Sequence, residues 1–379
     1  MKEIVTRLTA PLTEEENRAG LMAAKLPLRI AVKGNLAQVQ EYFNAHSWTD
    51  GLPVIPPTQE NVTNMLAGTT HPPDDIVTYA MPPLELAVTV EKVAMNGVMA
   101  GCKPADMPVL LAIAEAFSKG SFRSSMISAN SFSFMVVVNG PIAKKIGMNS
   151  GVNALGPGNQ ANAAIGRALR LFLTNLGGLT PGITLMACQG NSSNYSFAFA
   201  ENEEASPWEP LHVSMGYQRE ESVVTIFSGG WGHGGNMTCL SEEPIDLRGM
   251  IEVIRSFQLP AGAAVLLSPP LASQIASEKG FSKQDLQAYL QKNTTKTAQA
   301  FRLDPYYGTY IKPVLEGKTY YGMNTVWPPS YLHADPNELV PVYGRSEFIY
   351  PIVVGGENYM AFQGWKMALP STISIDEWR

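Results

Sequence analysis

Charge is scarce in this chain. Only 16% of its 379 residues are Asp, Glu, Lys or Arg, and the balance of 27 basic against 33 acidic side chains leaves a net charge of −6. The longest basic cluster is the pair Lys144-Lys145. Nucleic-acid binding calls for a basic stripe or patch, so nucleic acid is excluded as an expected partner, while a local cationic pocket for a small anion stays open. Cysteine is scarcer still, with Cys102, Cys188 and Cys239 far apart. An odd, scattered set does not make a disulfide framework and fits a reducing compartment. Neither CxxC nor HExxH occurs, so no metal site is read from spacing and no cofactor is assigned. No apolar run approaches the roughly 18 residues that suggest a membrane span. The stretch from Met1-Lys2-Glu3 to Glu14-Glu15-Glu16 has no signal-peptide core. The expectation is a cytoplasmic protein with no membrane partner, its oligomeric state open.

Glycine (33), proline (28) and hydrophobic residues (45%) are plentiful. That describes a sizeable core held between many tight turns. Polar helices are expected over residues 1–45, one capped by Thr13. The proline-rich loop Trp48–Thr58 follows, and Thr58 caps the next helix. Thr89–Ala100 reads as a helix closed by Gly101, and Asp106 as the cap of an apolar helix over Met107–Phe117. Short apolar runs read as strands at Phe134–Gly140, Ile183–Ala187, Tyr195–Phe199, Val223–Phe227, Ala263–Leu267, Phe348–Val354 and Tyr359–Phe362. Helices are expected at Asn162–Asn175, Ile245–Phe257, Pro270–Glu278 and after the capping box Ser282–Asp285.

The strand–loop–helix order recurs in both halves. We therefore expect an α/β fold of mixed sheets flanked by helices, arranged as two similar lobes with a cleft between them. The divisions are an N-terminal helical segment (1–45), a lobe with a Gly/Asn-rich loop (46–215) and a second lobe (216–379). A single domain is the alternative.

Five places carry candidate chemistry. Gly151–Arg167 is a Gly/Asn loop entering a helix, where unpaired N–H groups and the positive dipole end suit an anion. Asn153, Gly158, Asn159, Gln160, Asn162 and Arg167 are its candidate substrate-binding residues, and Arg170 could add charge if it turns back toward the loop. The bland alternative is a tight turn with a helix cap. Ser228–Asn236 places Trp231 and His233 among glycines after a strand, with Trp231 as a binding residue and His233 as a general acid or base, or else forms a plain surface loop. Cys102, beside Gly101 and Lys103, is a candidate nucleophile or partner-facing thiol, against the commoner role of a small buried hydrophobe. Glu201, Glu203, Glu204 and Glu209 fall close to His212, a set that could divide acid and base roles or bind a metal, or simply form a solvated loop. His46 and Asp50 flank Trp48 and could line a pocket, though an anchored loop is the simpler reading.

Taken together, Trp48–Thr58 (WTDGLPVIPPT), Glu91–Cys102 (EKVAMNGVMAGC), Val138–Pro141 (VNGP), Gly156–Leu171 (GPGNQANAAIGRALRL) and Phe199–His212 (FAENEEASPWEPLH) give a resemblance. The chain resembles a little-characterised bacterial family encoded beside, or fused to, short proteins with a selenocysteine- or cysteine-Gly-Ser-Cys redox motif. The resemblance implies thiol- or selenol-linked chemistry on a small organic compound. No CGSC occurs here, so such a centre has to come from a small redox-motif partner. Phe122–Ser133 (FRSSMISANSFS) also departs from the His/Thr-rich stretch expected there. The leading expectation is an enzyme for a small polar or anionic substrate, by reductive cleavage or lyase-type chemistry. A non-catalytic substrate-binding subunit and a metal-dependent hydrolase or hydratase using Glu209, His212 and His233 are the alternatives.

Overall fold

The computed structural model describes residues 31–231, 236–237, 245–257, 261–318, 327–366 and 369–379. The chain divides into two compact units, residues 1–46 and 47–379. In the first, α1 (Leu36–Ala45) begins at Asn35, whose side chain and that of Gln38 form a reciprocal capping box. His46 closes the same helix. Its Nδ1 lies 2.8 Å from the Tyr42 carbonyl and its ring stacks on Tyr42, so it serves a helix end rather than a pocket. The helix expected after Thr13 lies outside the described residues.

The second unit begins with the proline loop and α2 (Gln59–Leu66), which Thr58 caps as the sequence suggests. A hairpin of β1 (Ile76–Met81) and β2 (Leu86–Thr89) follows, unforeseen because its strands are short and half exposed. Thr89 caps α3 (Val90–Ala100), and Gly101 ends it at φ +89°, a left-handed value that favours glycine. The next helix, α4 (Met107–Lys119), is buried along most of its length. Asp106 does not cap it. Its Oδ2 accepts from the Lys103 N–H at 2.7 Å and closes the tight turn that carries Cys102.

One mixed sheet of eight strands organises the rest. Its members in chain order begin with β3 (Ser133–Asn139), β4 (Ala198–Ala200) and β5 (Val223–Trp231), with α5 (Gln160–Asn175) between β3 and β4 and α6 (Leu211–Ser214) before β5. Next come β6 (Asn236–Met237), α7 (Arg248–Arg255), β7 (Ala263–Leu267), α8 (Pro269–Lys279) and α9 (Lys283–Asn293). A separate antiparallel pair, β8 (Thr295–Thr297) and β9 (Leu339–Pro341), precedes β10 (Ile349–Val353), β11 (Met360–Lys366) and β12 (Ser371–Ser374). The strand order is β10-β7-β11-β5-β3-β4, with β12 beside β5 and β6 beside β11. β3 runs parallel to β4 and antiparallel to β5, from Ser133 opposite Gly229 to Asn139 opposite Val223. β7 and β10 run parallel to each other. Strands from both sides of residue 216 thus share one sheet.

Period-two alternation assigns the faces. Met135, Val137, Phe199, Phe227, Ala264, Leu266, Tyr350 and Ile352 pack into one apolar cluster. The alternate residues Ala263, Val265, Leu267, Ile349 and Val353 pack against α7, α8 and α9. Edge strands β4 and β10 both reach the first cluster, and the Asn202 N–H just past β4 donates to the Val353 carbonyl of β10 at 2.7 Å. The sheet is therefore curled. β3 is buried on both faces, because Phe134 on its second face meets Phe117 of α4 edge to face at 4.8 Å.

Two expected strands fare differently. Residues 183–187 form no strand, because the Thr180 carbonyl gathers the N–H groups of Ile183, Thr184 and Leu185 into a turn. The run expected from Tyr195 starts only at Ala198, after a 3-10 turn at Ser192–Asn194. Among the described residues, no helix is long and apolar enough to cross a membrane.

Candidate functional site

The ends of β3 and β4 gather ionisable groups. Asn139 is the last residue of β3, and Glu201 follows β4 directly. Parallel pairing sets the two side by side. Asn139 Nδ2 donates to Glu201 Oε2 at 2.6 Å and to Glu203 Oε1 at 2.9 Å. The Gly140 N–H reaches the same Glu203 oxygen at 2.7 Å, and the Leu211 N–H at the start of α6 reaches Glu201 Oε2 at 2.7 Å. His212, fully buried, places Nδ1 3.9 Å from Glu203 Oε1 and Nε2 3.4 Å from the Arg219 carbonyl. Lys283, at the first turn of α9, is buried too, with its ammonium 4.0 Å from Glu201 Oε1 and 3.4 Å from Ser214 Oγ.

Burial sets the electrostatics of this cluster. It pushes the Glu201 carboxyl above its ordinary value, against the opposing pull of Lys283, the Leu211 amide and Asn139. The same cause pushes Lys283 below the ordinary lysine value, against Glu201, Glu209 and Glu203. Both shifts favour the neutral forms, as desolvation requires. Three buried atoms here have no hydrogen-bond partner: Asn139 Oδ1, Glu201 Oε1 and His212 Nδ1. Glu203 forms the rim, with its side chain 21% exposed.

The sequence singled out Glu201, Glu203 and His212, and the fold brings them together. It missed Asn139 and Lys283. Asn139 carried a usable signal as a polar residue ending an apolar strand, whereas Lys283 lies far away in the chain beside an ordinary helix cap. Glu204 points to solvent and pairs with exposed Lys144 at 2.9 Å, away from the buried groups. Glu209 accepts from Ser214 and Gln284, not from a metal-binding partner set. Among the described residues, no group of three or more His, Cys, Asp or Glu side chains is placed to hold a metal ion.

Comparison with known proteins finds no matching family model, no curated relative and no similar solved structure.

The Gly/Asn loop is held together by its own side chains. Its asparagine side chains are spent on the loop itself. Asn162 Nδ2 donates to the carbonyls of Asn149 and Ala154, while its Oδ1 accepts from the Asn149 N–H. Asn159 Nδ2 ties to the carbonyls of Asn153 and Gly156, and its Oδ1 accepts from Asn149 Nδ2. Asn153, held at φ +59°, donates to the Pro157 carbonyl. Gly158 supplies a second left-handed turn at φ +98°. Gln160 reaches back to the Gly101 carbonyl and satisfies the end of α3. These residues build a closed turn and do not offer their side chains to an anion.

Arg167 and Asp50 pair with each other. The guanidinium grips both Asp50 oxygens at 2.8 and 2.9 Å and also donates to the carbonyls of Leu52 and Pro53. A bidentate pair of this kind fixes orientation as well as charge, and here it pins the proline loop to α5. Arg167 holds Asp50 below its usual value in spite of burial. Trp231 is a core residue. Its Nε1 donates to the Ser133 carbonyl at 3.2 Å and its ring packs on Phe197. His233 and Cys239 lie outside the described residues.

Cys102 does sit at the bend between α3 and α4, but its thiol is held protonated. Burial and the Asp106 carboxylate push its pKa well up, and Arg167 offsets this only in part. Lys103, on which a thiolate would depend, is exposed and contributes nothing to that balance.

Proposed function

We propose that this chain is an enzyme that moves protons on a small polar or anionic organic substrate, in lyase-type bond breaking at Glu201, Glu203 and His212. One observation carries the reading. Three polar atoms of a single cluster are buried without hydrogen-bond partners. Each orphaned atom of this kind costs about 1–3 kcal/mol, which a purely structural cluster has no reason to retain. Clusters of shifted acids and bases are also frequent at catalytic sites.

Glu203 is the group that meets the substrate, because it alone of the three has an exposed side-chain surface. His212 stands behind it as the proton store, and Glu201 with Lys283 sets the local field. The test is deuterium uptake. The protein is incubated in D2O with a panel of small hydroxy and unsaturated carboxylates, and proton NMR follows exchange or elimination. Glu203→Gln and His212→Asn should each lower the rate about 100-fold or more, the usual scale for an acid–base group. Turnover that survives both substitutions removes the cluster from the chemistry.

A second reading is favoured by Cys102. A protonated, partly buried thiol is a poor nucleophile. Thiol-linked reductive cleavage then falls to a small redox-motif partner of the kind the family resemblance implies, with this chain as the substrate-binding component. Activity that appears only when such a partner is added favours this reading over the first.

A further inference from the structure

Asn139 ends β3 fully buried, with its amide between the Glu201 and Glu203 carboxylates. We propose that Asn139 is the positioning residue of this site: its Nδ2 group fastens Glu203 beside Glu201 by one oxygen, Oε1, and leaves Oε2 as the oxygen that takes the substrate proton. The role of Oε2 rests on the proton-transfer reading, whereas the clamp itself is measured without turnover.

The first support is where the donors go. A side-chain amide carries two N–H donors. Asn139 Nδ2 serves both carboxylates, at 2.6 Å to Glu201 Oε2 and 2.9 Å to Glu203 Oε1. A further donor, the Gly140 N–H, meets the same Glu203 oxygen at 2.7 Å. Both lone-pair directions of Oε1 are then in use. Oε2 has neither a hydrogen bond nor an ion pair among the described residues. The other charged or titratable neighbours approach different atoms: His212 Nδ1 lies 3.9 Å from Glu203 Oε1, and the Lys283 ammonium 4.0 Å from Glu201 Oε1. Glu203 is also the member of the cluster with exposed surface, so its free oxygen is the one a substrate meets. There the substrate gives its proton to Oε2 and keeps the electron pair of the broken bond.

The second support is the contrast with an asparagine that only builds. Asn162 uses both ends of its amide, Nδ2 on two carbonyls and Oδ1 on the Asn149 N–H. Asn139 leaves its Oδ1 buried without a hydrogen-bond partner. Buried amides are ordinarily satisfied at both ends, so it is the donors that this position requires. The backbone makes their placement rigid. Asn139 stands opposite Val223 of β5, and Val138 beside Ala200 of β4 brings Glu201 to the same level. Gly140 turns away at φ +82°, and a Cβ there would fall 2.1 Å from the Glu221 carbonyl oxygen. The two donors that occupy Oε1 thus come from consecutive residues at one strand end.

The experiment follows side-chain NMR signals of the whole chain against pH. In the wild type the Asn139 Nδ2 proton signals should move in step with the Glu201 carboxyl carbon, while those of Asn162, which faces carbonyls, stay still. Burial raises the Glu201 pKa, Asn139 pulls it down and the Glu203 charge pushes it up. Glu203→Gln should therefore move the Glu201 midpoint to lower pH, by about half a pH unit or more. In Asn139→Ala the same substitution should move it less than half as far, because Glu203 is no longer fastened beside Glu201. An asparagine that serves the fold alone leaves the two effects additive. Asn139→Ser keeps a hydroxyl donor, should restore part of the coupling, and guards against misfolding of the alanine variant. Where the carboxylate panel gives turnover, Asn139→Ala should lower kcat about tenfold or more with KM held within about twofold, since the amide acts through Glu203. Asn139 signals that stay still while Glu201 titrates overturn the proposal, and so do additive midpoints in folded variants. Turnover that survives Glu203→Gln removes the proton-transfer reading and the role of Oε2 with it, a failure distinct from that of the clamp.

Discussion

The two ends of the β3–β4 pair treat charge in opposite ways. At the carboxyl end, Glu201, Glu203, His212 and Lys283 are drawn inward and set against one another. At the amino end, the Arg170 guanidinium is half-buried and has no hydrogen bond or ion pair among the described residues. The two lie only about 17 Å apart along the strand, at about 3.3–3.4 Å per residue. A buried group must find its compensation inside the fold, so the first end is a network whose members depend on each other. A lone half-buried cation has no such partners to lose, so the second end is a single charge. Interdependence predicts large effects of single changes at the first end and small ones at the second.

The largest effect should come from breaking the buried pair. Glu201→Gln leaves the Lys283 ammonium without its nearest counter-charge and should cost about 3–5 kcal/mol by urea unfolding. The double variant Glu201→Gln, Lys283→Met should recover most of that loss, because neither charge is then stranded. Equal destabilisation in the double variant would show that packing, not charge, holds the two residues.

pH sharpens the same contrast. Glu201 has a raised folded pKa, so its stabilising contribution is present below about 4.5, its ordinary value, and lost as pH rises through the raised value. Lys283 has a lowered folded pKa, so the cost of its buried charge persists at low pH and fades as pH rises toward 10.5. The single variants should therefore diverge. Lys283→Met should lose stability as pH rises above about 4.5, while Glu201→Gln should gain it on the alkaline side. Parallel unfolding profiles for the two variants would contradict the assignment.

The closed Gly/Asn turn comes next in size. Asn162→Ala removes two donated bonds and one accepted bond, and leaves the part-buried Asn149 carbonyl and the buried Ala154 carbonyl unanswered. A loss of about 1–3 kcal/mol is expected, read by thermal unfolding. Alkylation gives a matched comparison of thiols. Exposed Cys188 should label well before Cys102 between about pH 6 and 9, followed by mass spectrometry. Faster labelling at Cys102 would restore it as a nucleophile.

Much of the scaffold was legible in the residues, and the reasons are local. β3, β7 and β10 are short apolar runs buried on both faces, and the caps at Thr58, Gly101 and Ser282 are set by chemistry within a few positions. The Glu201–His212 stretch was legible as a cluster because its members are close in the chain. Lys283 was not, since only the docking of α9 brings it there. The Gly/Asn loop was legible as a turn before a helix, but not in its bonding, for a related reason. A high density of amides looks the same whether they face a ligand or each other, and only the bonds of Asn149, Asn159 and Asn162 tell the two apart.

The smallest expected effect closes the comparison, and it concerns a neighbour of the buried acids. Glu204 lies three residues after Glu201, yet its carboxylate pairs with Lys144 in full solvent, where both side chains are more than four-fifths exposed. Lys144 lowers the Glu204 pKa, and Glu204 raises that of Lys144. These shifts arise between exposed groups that water and salt screen, so they carry little stability. Glu204→Gln should therefore unfold with the wild-type midpoint in urea, at low salt and at high salt alike. The same substitution at Glu201 removes a carboxylate that two donors and a buried ammonium depend on. If Glu204→Gln destabilises the protein as Glu201→Gln does, sequence neighbourhood rather than burial governs these acids, and the division drawn between network and surface fails.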